Sequence, residues 1–251
     1  MTIEPSVQRF FEELHALLRN ELFKQNTTLV HQLNSFYGAL STLLKLAGIA
    51  SLKLEGQLAT HFTVFDYIKT DEIMLSDILQ SLLDPSGKHG QADRFLNLFL
   101  NAVGLHPPSP LTRTQVKRED TTTYIAKQNR RIDLTFDFNG GELGIGLENK
   151  PWAVEGEDQV ADYMDHLTRK YGENKYRLIY LSGDGSKPIS LTPQQLEEHE
   201  RRGQLIVISY FNELITWLRE CERQCQAERV RVFLRDFTNY IVHTFPRSTG
   251  P

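Results

Sequence analysis

The sequence predicts a mixed α/β fold: a central sheet with helices on both faces, and an additional helical region ahead of it. Three observations carry this prediction. Apolar residues recur at helical spacing through roughly the first hundred positions. The stretch His106-Pro107-Pro108-Ser109-Pro110 then ends that pattern, because it suits neither a helix nor a central strand. Beyond Thr121, β-branched and aromatic residues form short runs, first as a hairpin and then in strand-helix-strand alternation. That order of elements gives a mixed sheet covered on both sides.

Each element follows from its own pattern. Residues 6–24 carry Phe10, Phe11, Leu14, Leu17, Leu18 and Leu22 at helical spacing. Residues 29–46 repeat it with Leu33, Phe36, Tyr37, Leu40, Leu43 and Leu44. These two stretches are expected to form an amphipathic pair, so residues 1–66 are taken as a helical region packed on a core formed by 67–251. A third helix starts near Asp71, carries Leu75, Ile78, Leu79, Leu82 and Leu83, and stops at Asp84-Pro85-Ser86-Gly87. A fourth holds Phe95, Leu96, Phe99, Leu100 and Val103. Strands are expected at 121–125, 132–138, 143–149, 177–181 and 205–210. Helices are expected at 157–170, 193–201, 211–221 and 227–244.

Composition excludes several classes. Hydrophobic residues make up 40% of the 251 and charged residues 24%, an ordinary globular balance rather than a disordered one. The net charge of -4 rules out a polybasic coat protein but permits a local basic surface. Two cysteines cannot staple a secreted scaffold, and Cys221 and Cys225 lack the partners of a zinc site. No signal peptide is read at the start, and no uninterrupted apolar run approaches the length of a bilayer span. A cytoplasmic protein without a membrane segment is expected.

The segment Arg130–Lys150, RRIDLTFDFNGGELGIGLENK, is the most informative. Gly140-Gly141 predicts a two-residue hairpin turn, since both glycines can take positive φ. Phe138 then faces Leu143, Phe136 faces Ile145 and Leu134 faces Leu147, all on one side. On the other side Asp133 falls opposite Glu148 and Arg131 opposite Lys150, with Gly144 and Gly146 expected to leave that face open. Opposed carboxylates repel across a strand pair. With a lysine beside them, they make sense around a hard cation, Mg2+ or Mn2+. A solvated charged face is the bland alternative, and Glu173-Asn174-Lys175 shows how cheap an acid-x-lysine tripeptide is.

Asp133 on one strand and Glu148-Asn149-Lys150 on the next resemble the PD-(D/E)XK nuclease superfamily, although Ile132 stands where many members have proline. Gln159-Val160-Ala161-Asp162-Tyr163 is similar to the Gln-x-x-x-Tyr motif of RecB-like members; its two polar residues share a helix face. The leucine-rich helix, Leu83-Asp84-Pro85 and His89-Gly90 resemble a bacterial branch of the superfamily, from about Phe65 onward. This resemblance implies a restriction-endonuclease-like sheet and a magnesium-dependent deoxyribonuclease, leaving a 5′-phosphate and a 3′-hydroxyl, in DNA repair or defence against foreign DNA. It implies metal ligation by Asp133, Glu148 and the carbonyl of Asn149, with Lys150, Gln159 and Tyr163 also in the catalytic site. Glu72 either joins the metal ligands or complements its helix dipole. His89 either caps the next helix or touches substrate.

DNA contacts are expected near 113–131. There Arg113, Lys117, Arg118, Lys127, Arg130 and Arg131 stand against Glu119 and Asp120, a net +4, so the rest of the chain carries -8. The rival reading is a non-catalytic nucleic-acid-binding or assembly module of the same fold. Oligomeric state is left open by the sequence.

Overall fold

The computed structural model describes residues 5–59, 62–106, 113–121, 131–152 and 155–245. The chain divides into two units, residues 1–62 and 63–251.

The first unit is one helix, α1 (Pro5–Leu58), rather than the expected helix pair. Gln25-Asn26-Thr27-Thr28 is polar but contains neither Pro nor Gly, so nothing there stops an intrahelical ladder. Its large apolar side chains, among them Leu17, Leu33, Leu40 and Leu43, are exposed. Within Glu12–Gln57 an 18-residue window reaches a mean hydropathy of 1.3, enough to cross a bilayer by length and composition. The residues need not be consecutive apolar ones for the average to be high.

The second unit is built on a five-stranded sheet in the order β1 (Thr114–Thr121), β2 (Arg131–Phe138), β3 (Leu143–Lys150), β4 (Tyr176–Ser182), β5 (Leu205–Ser209). The first three strands are antiparallel, and β3, β4 and β5 are parallel. The first strand lies earlier than expected: it ends where 121–125 was to begin, and residues 122–125 fall outside those described. The hairpin register is the expected one, Phe138 with Leu143 through Leu134 with Leu147. Its turn is longer, four residues from Asn139 to Glu142, with positive φ at Asn139, Gly140 and Gly141. The amides of Gly141 and Glu142 both donate to the Phe138 carbonyl, which closes the wider loop.

One face of the sheet carries Leu134, Phe136, Phe138, Ile145, Leu147, Ile179, Leu181 and Ile208. They share a core with α2 (Glu72–Leu83), α3 (Arg94–Ala102), α6 (Ile215–Gln224) and α7 (Glu228–Thr244). The other face is covered by α4 (Gln159–Tyr171) and meets Leu196 of α5 (Pro193–Arg201). Gly144 and Gly146 therefore do not open that face. A Cβ at Gly144 would lie 2.1 Å from the Tyr171 ring, and one at Gly146 3.0 Å from Leu167. The glycines let α4 sit directly on β3. A π-helical turn, Tyr210–Leu214, leads from β5 into α6 where a plain helix was expected.

His89 braces the loop between α2 and α3. Its Nδ1 accepts the Gln91 amide at 3.0 Å, so Nε2 carries the proton donated to the Asp84 carbonyl at 2.9 Å. The ring also stacks on Phe95. This is loop bracing, since Asp93 rather than His89 stands at the α3 N-terminus. Cys221 and Cys225 are free thiols buried in the core.

Candidate active site

Strand β3 lies inside the sheet, paired with β4 over its whole length, from Gly144–Tyr176 to Lys150–Ser182. Its ladder with β2 ends at Leu134–Leu147. Beyond that point Asp133 takes over with its side chain, Oδ2 accepting the Asn149 amide at 2.8 Å. Ile132 and Leu134, two residues apart, pack on opposite sheet faces, so strict alternation fails at Asp133. The expected pairs Asp133–Glu148 and Arg131–Lys150 thus lie past the end of the ladder. The cause is the carboxylate, which satisfies a donor that a strand carbonyl would otherwise take.

Four elements meet at this opening. Glu148 is 1% exposed. Its Oε1 accepts from Lys150 Nζ at 2.6 Å and from Gln159 Nε2 at 2.7 Å. The Gln159 amide nitrogen also donates to the Tyr163 hydroxyl, which donates to the Arg131 carbonyl at 2.7 Å. Residues four apart on α4 therefore tie Glu148 to the start of β2. Lys150 Nζ also donates to Glu72 Oε1, 2.9 Å away, from the first turn of α2. Asp71 caps that turn by accepting the Met74 amide.

Sequence reasoning missed the polar anchor behind these groups. The Asn149 side chain donates to Ser76 Oγ at 2.9 Å and accepts from the Tyr210 hydroxyl at 2.7 Å, all buried. Ser76 had a signal: it lies four residues after Glu72 on the same helix face and is uncharged among leucines. Tyr210 had none, because it reaches Asn149 from 61 residues away.

Burial, then the charge of Asp133, pushes the Glu148 carboxyl up to about 8, against the pull of Lys150. Burial likewise lifts Asp133 to about 6, although the Asn149 amide opposes it. For Lys150, burial disfavours the ammonium, but Glu148 and Glu72 outweigh that and hold it charged. Glu148 Oε2 is buried and has no hydrogen-bond partner among the described residues. A buried carboxyl oxygen left unpaired is costly, and a cation bound there would satisfy it. Asp133 and Glu148 therefore fit a hard divalent ion. Among the described residues no three His, Cys, Asp or Glu side chains gather tightly enough to hold a metal. Glu72 is ion-paired with Lys150, 2.9 Å away.

The basic segment is split. Arg118 is bound to α2, its guanidinium 2.6 Å from Asp77 Oδ1 and 2.8 Å from the Ile73 carbonyl. Lys117 on β1 and Arg131 at the start of β2 are exposed. Lys127 and Arg130 lie outside the described residues.

A family model described as the PD-(D/E)XK nuclease superfamily matches residues 62–239. The chain belongs to that superfamily, and the match leaves out the first 61 residues. No curated protein and no solved structure matches the chain.

Proposed function

We propose that this protein is a metal-dependent nuclease that hydrolyses phosphodiester bonds in DNA. The observation that carries the reading is Glu148: a buried carboxylate with one oxygen unpartnered, next to a second acid and a charged lysine. Asp133, Glu148 and the Asn149 carbonyl would hold Mg2+ or Mn2+. Such an ion supplies positive charge to the scissile phosphate and makes water a better nucleophile.

The chain's own groups do the rest. Lys150 keeps its ammonium at the site, where it can donate to the attacking water or to a phosphate oxygen. Glu72 fixes the position of that ammonium. Gln159 turns Glu148 toward the site, and Tyr163 holds Gln159 in place, so both are positioning residues. Water adds to phosphorus, the bond from phosphorus to the 3′-oxygen breaks, and that oxygen takes a proton. The products are a 5′-phosphate and a 3′-hydroxyl, in keeping with a role in DNA repair or defence against foreign DNA.

The test is incubation of purified protein with linear, circular and single-stranded DNA and with RNA, in Mg2+, Mn2+ or chelator. Cleavage of a DNA form that chelator abolishes and Lys150→Met removes is the expected result. A wild-type protein that binds DNA yet cuts nothing in either metal would instead be the non-catalytic module.

A further inference from the structure

Beside Lys150 lies a cavity of about 320 Å³ lined by Pro151, Trp152, Gly183, Asp184, Ser186 and Phe245. None of these residues enters the chemistry above. Trp152 is 51% exposed, whereas the only other tryptophan, Trp217, is buried and donates its indole N–H to the Phe95 carbonyl. One face of the Trp152 ring rests on Phe245, with centroids 5.3 Å apart and planes 25° from parallel. Phe245 is itself stacked at 4.4 Å on Tyr210, whose hydroxyl donates to Asn149. Three rings thus run outward from the active-site strand, and the outermost, Trp152, is half exposed. Gly183 keeps the floor flat: a Cβ there would lie 2.5 Å from the Pro151 carbonyl and 3.1 Å from Phe245.

We infer that this cavity is a nucleobase subsite, in which the base next to the scissile phosphate leaves its own stack and lies on Trp152. The inference rests on the nuclease reading and narrows its substrate. Every base has a π-face that an aromatic ring can hold, so the indole supplies affinity without much preference. Preference comes from the rim. Asp184 Oδ1 already accepts the Ser186 amide at 2.9 Å, and hydrogen bonds from Ser186 keep the carboxyl below its usual range. An ionised carboxylate only accepts, which suits the exocyclic amines of cytosine and adenine, whereas thymine offers only its ring N3–H between two carbonyl oxygens that the carboxylate repels. A base inside a duplex has neighbours on both faces. The substrate is therefore DNA that is single-stranded, or splayed open, at the cleavage point.

Indole fluorescence tests this without turnover. In chelator, wild-type protein is titrated with single-stranded dC20, dA20 and dT20 and with a blunt duplex. Quenching of the exposed indole by dC20 and dA20 more than by dT20 or duplex is expected. Trp152→Ala should weaken single-strand binding about tenfold, and Trp152→Phe should restore most of it. In cleavage assays KM should rise more than kcat falls. Asp184→Asn should narrow the gap between dC20 and dT20. Undisturbed Trp217 emission reports that each variant is folded. Saturable binding with no quenching, or equal affinity for wild type and Trp152→Ala, would overturn the subsite. Quenching without metal-dependent cleavage would leave the subsite standing and remove the nuclease reading.

A separate observation concerns α1. From Leu22 to Leu54 its sequence keeps a strict seven-residue repeat: Leu22, Asn26, Leu29, Leu33, Phe36, Leu40, Leu43, Ala47, Ala50 and Leu54 fall alternately three and four apart. The positions opposite, from Lys24 to Lys45, hold Thr27, Thr28, His31, Asn34, Ser35, Gly38, Ser41 and Thr42. A unit that is one helix has no second element on which to bury such a stripe. Between Lys24 and Lys45 that polar face carries no Lys or Arg, unlike a helix lying on a membrane surface. Residues 1–62 hold five acidic and five basic side chains, so two copies meet without net repulsion.

We propose that α1 pairs in parallel with α1 of a second copy of this chain, with Asn26 facing Asn26 to set register and two-strandedness. Light scattering of the full chain should give twice 28.9 kDa, and Leu33→Glu with Leu40→Glu should return it to one chain. Asn26→Cys should form an intermolecular disulfide on oxidation, which antiparallel helices would not. A single-chain mass at micromolar concentration overturns the proposal, as do a mass of three or more chains and flotation of single chains with lipid vesicles. A dimer without the Asn26→Cys cross-link overturns the parallel register.

Discussion

Helices α1 and α2 carry the same kind of leucine stripe and come to opposite ends. On α2, Leu75, Leu79, Leu82 and Leu83 are buried under the sheet, and the same helix delivers Glu72 and Ser76 to Lys150 and Asn149. On α1, Leu33, Leu40 and Leu43 remain exposed within their own unit. An apolar period states that a helix has a face to bury; it does not state what buries it. On α2 the burial also positions chemistry, because Glu72 sits one turn from the residues that lock the helix down.

The largest expected effect lies at the end of that chain of contacts. Lys150→Met removes the ammonium but keeps much of the stem, so the sheet should stay folded and metal binding should persist or strengthen. Cleavage should fall about a hundredfold or more, the scale of losing an acid-base or electrostatic group. Asp133→Asn should instead weaken metal binding, measured by calorimetry. Full activity in folded Lys150→Met would detach α2 and its partner from function.

Next in size is the packing contrast itself. Leu79→Ala should cost about 2–5 kcal/mol in urea unfolding followed at Trp217. Leu40→Ala should leave that midpoint unchanged. Equal losses would mean that the two stripes are buried against the same core.

The buried acids give a smaller effect that depends on pH. Glu148 holds its proton more tightly folded, at about 8, than at the ordinary 4.5. The stabilisation from that proton is complete below the ordinary value and lost as pH rises through about 8. Metal-free protein should therefore lose part of its melting temperature between about pH 5 and pH 9, and Glu148→Gln should flatten the change. Magnesium should restore more at the alkaline end, where it no longer competes with protons. A wild-type profile unaltered by Glu148→Gln would show that Glu148 is not the group that titrates.

The smallest effect separates the two basic residues of β1. Arg118→Ala breaks a pair whose aspartate is 64% exposed, so stability should change by less than about 1 kcal/mol. Lys117→Ala should lower the salt dependence of DNA binding by about one counterion. An Arg118 variant with the larger loss of DNA affinity would make the Asp77 pair secondary to phosphate contact.

The sequence by itself determined the mixed sheet and the hairpin register from Phe138–Leu143 to Leu134–Leu147. Each of these follows from local alternation, where a slip of one residue would turn every apolar side chain of β2 and β3 outward. It also determined that α4 would present Gln159 and Tyr163 together, since four residues make about one turn. Only the tertiary structure decided that the ladder opens at Asp133, that Gly144 and Gly146 admit α4, and that Tyr210 and Ser76 grip Asn149. Those outcomes depend on contacts between residues tens of positions apart, and no periodicity encodes which distant side chain fills a given space. The single span of α1 was misread for the opposite reason. A polar interval in a helical pattern looks like a break, yet without proline or glycine the backbone has no physical cause to stop.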